Sequence, residues 1–249
     1  MAATERKINF IIPMAGLGRR FSQAGVRVPK FMVEAGGLTL FEHSLRSLPL
    51  SLASRVVFIA LREHEEQCGV SSFIRGRMAS LSPAPVEIII LDKPTRGQAE
   101  TVLAAKALVP PEEEAAIFNI DTAFVSSTLE AKLSGPEKRD GVIGAFVLDA
   151  KDNKWSFAEI DGSGIVLRTA EKVQISRYAL TGLYHFTRAG DFFDCAGAAV
   201  AGGELVSGEY YVAPLYNRLI ARGKKFTLDV AEKIIPLGTP EDVARYDSK

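Results

Sequence analysis

The sequence predicts an α/β fold: a mainly parallel sheet covered by helices on both faces, followed by a smaller α+β elaboration. Three observations predict it. Apolar runs of strand length recur through the first 150 residues without polar alternation, the pattern of strands buried on both faces. Helical patterns separate these runs, as parallel strands require. Beyond residue 150 the texture changes to a hairpin pattern, a further strand, and then helices.

Taken in order, Ile8-Asn9-Phe10-Ile11-Ile12 reads as a first buried strand. Residues 55–61 (RVVFIAL), 86–91 (VEIIIL), 115–120 (AAIFNI) and 141–148 (GVIGAFVL) repeat its character. Helices are expected near 39–48, 63–78, 98–108 and 126–134. Residues 154–160 and 165–172 flank Asp161-Gly162-Ser163-Gly164 and read as a hairpin. A strand at 180–186, helices near 188–200 and 211–222, and a strand near 225–230 complete the chain. This second part is not expected to fold alone. The expectation is one domain over residues 1–249, with halves of about 1–150 and 151–249.

Composition excludes several classes of function. Lys plus Arg equals Asp plus Glu at 30 each, so no net field draws the chain to nucleic acid or an acidic membrane. No run of 18 apolar residues occurs that could span a bilayer. The opening MAATERK has no apolar segment and does not read as a signal peptide. Cys68 and Cys195 are far apart, without metal-ligand spacing, which suits a reducing cytoplasm. His43, His64 and His185 are scattered and read as structural; Phe146, Trp155, Phe157 and Phe186 read as core.

The richest segment is PMAGLGRRFSQAGVRVPKF, residues 13–31. Gly16 and Gly18 make a loop in which backbone N–H groups can approach an anion without interference from Cβ. Arg19 and Arg20 sit in the expected loop and Lys30 follows, an arrangement suited to a polyphosphate. A strand-ending turn with solvated arginines is the alternative. The GxxxxGK[ST] run of a P-loop is absent, and Phe21 follows Arg20 where GxGxxG needs its third glycine. That absence disfavours a nucleotide-dependent oxidoreductase. An aspartate directly after a buried strand, as Asp121 is, can ligate magnesium or cap a helix. Asn119 is expected to make local hydrogen bonds.

The pattern GxGxRx followed by PK, filled by Gly16, Gly18, Arg20, Pro29 and Lys30, resembles the signature of sugar-phosphate nucleotidylyltransferases. Four later segments match too, so the resemblance covers most of the chain. It implies a Rossmann-like α/β fold in the short form, with no C-terminal β-helix. It implies transfer of a nucleoside monophosphate from a nucleoside triphosphate to a phosphorylated small molecule, with release of pyrophosphate and Mg2+ as cofactor. Arg20 and Lys30 would be catalytic, and Ala15, Gly16 and Gly18 would hold the nucleotide. Thr95, Gly97 and Gln98 resemble the family's base-binding turn, and Asp121 its metal ligand. Glu171, Lys172, Gly182 and Glu209 would face the acceptor from a substrate-facing second half. A homo-oligomer is compatible with this reading; nucleic acid and membrane are not expected partners.

The chain departs from the pattern once. Relatives carry a second metal-binding aspartate two residues before a late Gly-Thr-Pro; here Pro236 precedes Leu237-Gly238-Thr239-Pro240 and cannot ligate. Asp121 would then share the ion with phosphates and water, or Glu209 or Asp229 would substitute. The departure leaves open a phosphocholine-like or capsule-precursor acceptor, and a nucleotide-binding regulatory protein that has lost turnover.

Overall fold

The computed structural model describes residues 8–135 and 138–248; the leader reading on residues 1–7 lies outside them. β1 (Ile8–Pro13) runs through residues 14–18 into a short helix, α1 (Arg19–Gln23). A 3-10 turn at Lys30–Met32 and a small hairpin, β2 (Glu34–Ala35) and β3 (Leu38–Thr39), lead to α2 (Leu40–Leu45). β4 (Ala53–Leu61), α3 (Arg62–Cys68), α4 (Val70–Leu81) and β5 (Val86–Leu91) follow. Next come α5 (Gln98–Val102), β6 (Glu114–Phe118), β7 (Thr122–Val125) and α6 (Leu129–Ser134). The second half contains β8 (Gly141–Val147), β9 (Ser156–Ile160), β10 (Val166–Glu171), β11 (Tyr178–Phe186), α7 (Ala189–Ala201) and α8 (Leu215–Ile220). It ends with β12 (Phe226–Ala231), β13 (Lys233–Pro236) and α9 (Pro240–Asp247).

The main sheet has nine strands, in the order β10-β9-β11-β6-β1-β4-β5, with β8 joining β11 to β12. Strands β6, β1, β4 and β5 are parallel, as their apolar character predicts. β11 runs antiparallel to β6, β8 and β9, so the second half extends the same sheet. The α/β class holds, with a mixed sheet. Successive residues in β1 and β4 feed two cores. Phe10, Ile12, Val56 and Phe58 enter one, beneath Phe41 of α2 and Ile74 of α4. Ile11, Val57 and Ile59 enter the other, beneath Val102 of α5 and Phe192 of α7. Each such side chain contributes about 1.5–3 kcal/mol by burial, which is why neither face tolerates polar alternation.

Several element boundaries differ from the sequence reading. The helix expected over 63–78 is two helices, because Gly69 takes the left-handed conformation (φ 60°) between them. The segment expected as helix 98–108 turns 3-10 after Val102. The expected helix 211–222 is only Leu215–Ile220, and the strand expected to reach residue 120 ends at Phe118. Arg19 and Arg20 are not in a loop but open α1. α9 carries a full start signal: Thr239 accepts from the Asp242 N–H, Pro240 follows, and Glu241 and Asp242 fill the first turn. β2, β3, β7 and β13 have two to four residues and are short for any periodicity to register. Among the described residues no helix is long and apolar enough to cross a membrane.

The three histidines are structural in different ways. His43 Nε2 lies 2.7 Å from the Ala35 carbonyl, and His64 is buried edge-on to Phe31. His185 is fully buried in β11, with Nε2 3.0 Å from Glu114 Oε2; Lys138 also donates to that carboxylate. Burial holds the His185 pKa below its ordinary value despite Glu114. Burial also opposes ionisation of Glu114, but hydrogen bonds from His185 and Lys138 outweigh it and keep its pKa low. Neutral His185 therefore donates from Nε2. Below about pH 6.5 the unfolded histidine gains a proton that the folded one refuses, so stability falls as pH drops. The melting temperature should decline as pH falls below about 6.5. His185→Gln, which keeps a donor toward Glu114, should flatten that decline in thermal melts; an unchanged slope would show that another group titrates.

Candidate active site

Because β1 and β6 are parallel neighbours, both deliver their following segments to one edge of the sheet. Residues 14–18 leave β1 there, and Asn119-Ile120-Asp121 leaves β6. A cavity of about 590 Å³ opens at this edge, with a volume in the range of small-molecule sites. It is lined by residues of both halves of the chain, among them Gly16, Arg20, Lys30, Gln98, Glu171 and Lys172.

At the glycine loop, Gly18 adopts φ 59° and its carbonyl accepts from Phe21 and Ser22 to start α1. A Cβ at Gly18 would lie 3.6 Å from Lys30 Cβ, so the bare glycine packs beside the lysine stem. Gly16 has open space where its Cβ would stand. Ala15 is buried, with Met14 N–H donating to the Ile59 carbonyl and continuing the sheet pairing. Arg20 is exposed on α1 and reaches the cavity.

Lys30 Nζ donates to Asp121 Oδ2 at 2.7 Å, with 19% and 29% of the two side chains exposed. Burial pushes the Asp121 carboxyl up, but the Lys30 ammonium together with hydrogen bonds from the Asp121 backbone and Thr122 outweighs this and holds it below the usual range. Asp121 is not a helix cap; it joins β6 to β7, and its carbonyl accepts from Leu237 N–H. β13 pairs with β7, placing Pro236 opposite Thr122 and bringing the late Gly-Thr-Pro segment against Asp121. Pro236 thus lies beside Asp121, and Asp242 of α9 lines the same cavity. Asp229 does not. It is buried against Thr128 and Lys132 of α6, outside the cavity lining, so it is no substitute ligand here.

Gly97 and Gln98 line the opposite wall. Gly97 has φ 143°, and its close neighbour is protein, not open space for a ligand. A Cβ there would stand 2.5 Å from Tyr210 N and 2.6 Å from Tyr210 O. Tyr210 N–H donates to the Arg96 carbonyl and its own carbonyl accepts from Ala99 N–H, clasping the two loops together. Thr95 Oγ1 is engaged locally, with Gly97 O and Thr101 Oγ1. Gln98 Nε2 donates to Asn119 Oδ1, the local bond expected of Asn119.

The second half supplies the remaining wall. Glu171 ends β10, is buried, and accepts from Ser156 Oγ. Burial raises its pKa, only partly offset by Ser156 and Lys172. Lys172 has φ 55°, an unusual conformation for a side chain of its size, fixed by its N–H donating to Trp155 O. Its Nζ donates to Tyr211 Oη at 2.5 Å, which raises its pKa. Glu209 does not start a helix, since α8 begins at Leu215. A tight turn through Ser207 (φ 49°) and Gly208 (φ 86°) presents it. Gly182 has φ 90°, and the atoms against it belong to Asn119. Trp155, read from sequence as core, does pack edge-on against Phe146, but it is half-buried and also lines the cavity, as Tyr211 does. The sequence reading named neither Tyr211 nor Asp242 for the site. Only Asp242 had a local signal, the helix start at Thr239-Pro240.

Residues 10–154 match the model of the MobA-like NTP transferase domain. A nucleoside-diphosphate-sugar pyrophosphorylase from Vibrio cholerae RC9 is 34% identical over 96% of this chain and 100% of its own, with a TM-score of 0.81. The inositol-1-phosphate CTP transferase of T. maritima has the same fold at 15% identity (98% and 96% covered, TM-score 0.74). So does a UDP-glucose pyrophosphorylase solved with UDP-glucose, at 15% identity (97% of each chain, TM-score 0.75). No curated protein matches. The chain belongs to the MobA-like NTP transferases, within the nucleotidylyltransferase family.

Gly97→Ala tests the clasp. Its φ is nearly exclusive to glycine, and the added Cβ meets backbone that cannot swing aside. The variant should lose about 1–3 kcal/mol of stability by chemical denaturation. An unaffected variant would mean the two loops are not held as described.

Proposed function

We propose that this member of the NTP transferase family transfers a nucleoside monophosphate from a nucleoside triphosphate to a sugar 1-phosphate or a similar phosphorylated small molecule. The observation that carries the reading is the Lys30–Asp121 pair beside the glycine loop, in a cavity shared by both halves of the chain. The similarity to the Vibrio cholerae pyrophosphorylase supports a sugar phosphate as acceptor. The chain acts as one domain, with the nucleotide held by the half to about residue 150 and the acceptor by the rest. Two free cysteines suit a cytoplasmic enzyme.

An acceptor phosphate oxygen attacks the α-phosphorus. Its new P–O bond forms as the bond from the α-phosphorus to the bridging oxygen breaks, and pyrophosphate leaves with that electron pair. No proton must move, so the protein's task is to gather cations and align the reactants. Backbone N–H groups around Ala15, Gly16 and Gly18 cradle the triphosphate. Arg20 grips the leaving pyrophosphate with its planar fork, and Lys30 neutralises charge growing at the α-phosphate. Gln98 meets the base, with Thr95 and Gly97 shaping its loop. Glu171 and Glu209 take acceptor hydroxyls, Gly182 shapes the wall between the subsites, and Lys172 orients the attacking phosphate.

Mg2+ fits this donor set in one manner. Among the described residues no three His, Cys, Asp or Glu side chains gather to hold an ion. Mg2+ is commonly held by one or two carboxylates, with phosphate oxygens and water completing its shell. Asp121 would hold it, and bound there it would supply further neutralisation of the phosphates. A phosphocholine-like acceptor is the second reading, favoured by Glu171 and Glu209 lining the same cavity as Trp155 and Tyr211, whose rings face the Lys154 and Lys172 ammonium groups that such a cation would displace. A regulatory role is favoured only by Pro236.

The deciding experiment presents each nucleoside triphosphate with a panel of sugar 1-phosphates and phosphocholine, with and without chelator, and follows pyrophosphate release. Turnover with a sugar 1-phosphate is expected; none with any pair would leave the regulatory reading. In the active pair, Lys30→Ala should cut kcat about 100-fold or more without unfolding the protein. Glu171→Ala and Lys172→Ala should raise the acceptor KM or lower kcat. Nucleotide affinity by calorimetry should scarcely change; loss of nucleotide binding alone would refute the division of roles.

A further inference from the structure

Gln98, Asn119 and Gly182 come from α5, the β6–β7 connection and β11, and they meet on the cavity wall. The Gln98 amide ends a flexible chain, and its terminal torsion has broad, roughly two-fold wells. Left alone it would present donor and acceptor interchangeably. It is not left alone, because Nε2 donates to Asn119 Oδ1 at 2.5 Å. Asn119 is itself confined. The Phe118–Leu183 pairing fixes the strand before it, and Asp121 is fastened to Leu237 just after it. On its other side stands Gly182, at φ 90°, where the β11–β8 register is broken between Leu180 and Tyr184. A Cβ at Gly182 would come within 2.5 Å of Asn119 Nδ2 and 2.9 Å of its Cγ. The Asn119 side chain is therefore wedged between the backbone of the second half and the amide of the first.

We infer that Asn119 is a positioning residue for base selection: by engaging Gln98 Nε2, it turns Gln98 Oε1 toward the nucleotide as an acceptor for a base N–H. Base preference then depends on a residue that need not touch the base. A glutamine fixed this way rewards a base edge with its N–H in the right place and leaves other edges facing an unpaired carbonyl, which is where discrimination arises. The inference rests on the nucleotidyl transfer reading for the place of the base, but binding alone can test it.

The test measures affinities of CTP, UTP, ATP and GTP by calorimetry for the wild type, Asn119→Ala, Asn119→Asp, Gln98→Ala and the Gln98→Ala/Asn119→Ala double variant. The wild type should prefer one base, and Asn119→Ala should shrink that preference about tenfold, the worth of one hydrogen bond. Asn119→Asp can only accept, so it enforces the same Gln98 orientation and should retain the preference within about threefold. In the Gln98→Ala background, Asn119→Ala should add nothing further. Additive losses, equal wild-type affinity for all four nucleotides, or a full preference in Asn119→Ala would overturn the inference. A reversed preference in Asn119→Asp would overturn it by showing the opposite amide orientation. Should Asn119→Ala fail to fold, the comparison of Asn119→Asp with Gln98→Ala decides alone. A protein that binds with the expected preferences yet releases no pyrophosphate would refute the transfer reading and leave this one standing.

Discussion

Lys30 and Asp121 lie 91 residues apart in sequence and 2.7 Å apart in space. Their contact joins the segment after β1 to the segment after β6 at the edge of the sheet where parallel strands release their chains. The contact is local, but the conditions for it are global. β1 must sit between β4 and β6 in register, Gly18 must leave room for the lysine stem, and the pairing of β7 with β13 must bring Leu237 N–H to the Asp121 carbonyl. The pair also sets the chemistry. A carboxylate largely withdrawn from water would resist ionisation, yet the ammonium and the hydrogen bonds on it keep it charged. A cation and an anion are thus held ready where phosphates would bring more negative charge.

β11 performs the corresponding task for the second half. It pairs with β6 through Leu183–Phe186, with β9 through Tyr178 and Ala179, and with β8 at both Tyr178–Leu180 and Tyr184, so the sheet continues from one half into the other. The break in its register around Gly182 gives space for Asn119, and the hairpin of β9 and β10 brings Glu171 and Lys172 toward the cavity. The clasp between Gly97 and Tyr210 fastens the two halves a second time through backbone hydrogen bonds. Loops that would be mobile alone are thereby tied to rigid strands, the condition for holding two anionic reactants in line.

Pro236 acquires a physical meaning in this setting. The backbone of β13 pairs with β7 and brings Gly238 and Thr239 to the cavity. Pro236 itself has no side-chain donor atom to offer there. Asp242 reaches the cavity from the first turn of α9, but it serves the start of that helix and stands 3.7 Å from Arg245.

The sequence by itself determined the strands buried on both faces, because continuous apolar runs have few other uses in an α/β chain. It also determined the hairpin at Asp161-Gly162-Ser163-Gly164, where Asp161 Oδ1 accepts from the turn N–H groups, and the cationic character of the segment that follows β1. These are local properties, carried by residues within one or two turns of each other. Gly97 and Gly182 show the limit of such reading. Their place in the site was legible, but what presses against them is Tyr210 and Asn119, more than sixty residues away in each case. Trp155 shows the same limit: an aromatic residue beside a strand is core or cavity wall according to what the rest of the sheet places over it. Only the tertiary structure decided these contacts, because pairing order, register and strand breaks are settled by the packing of the whole chain, and no short segment encodes them.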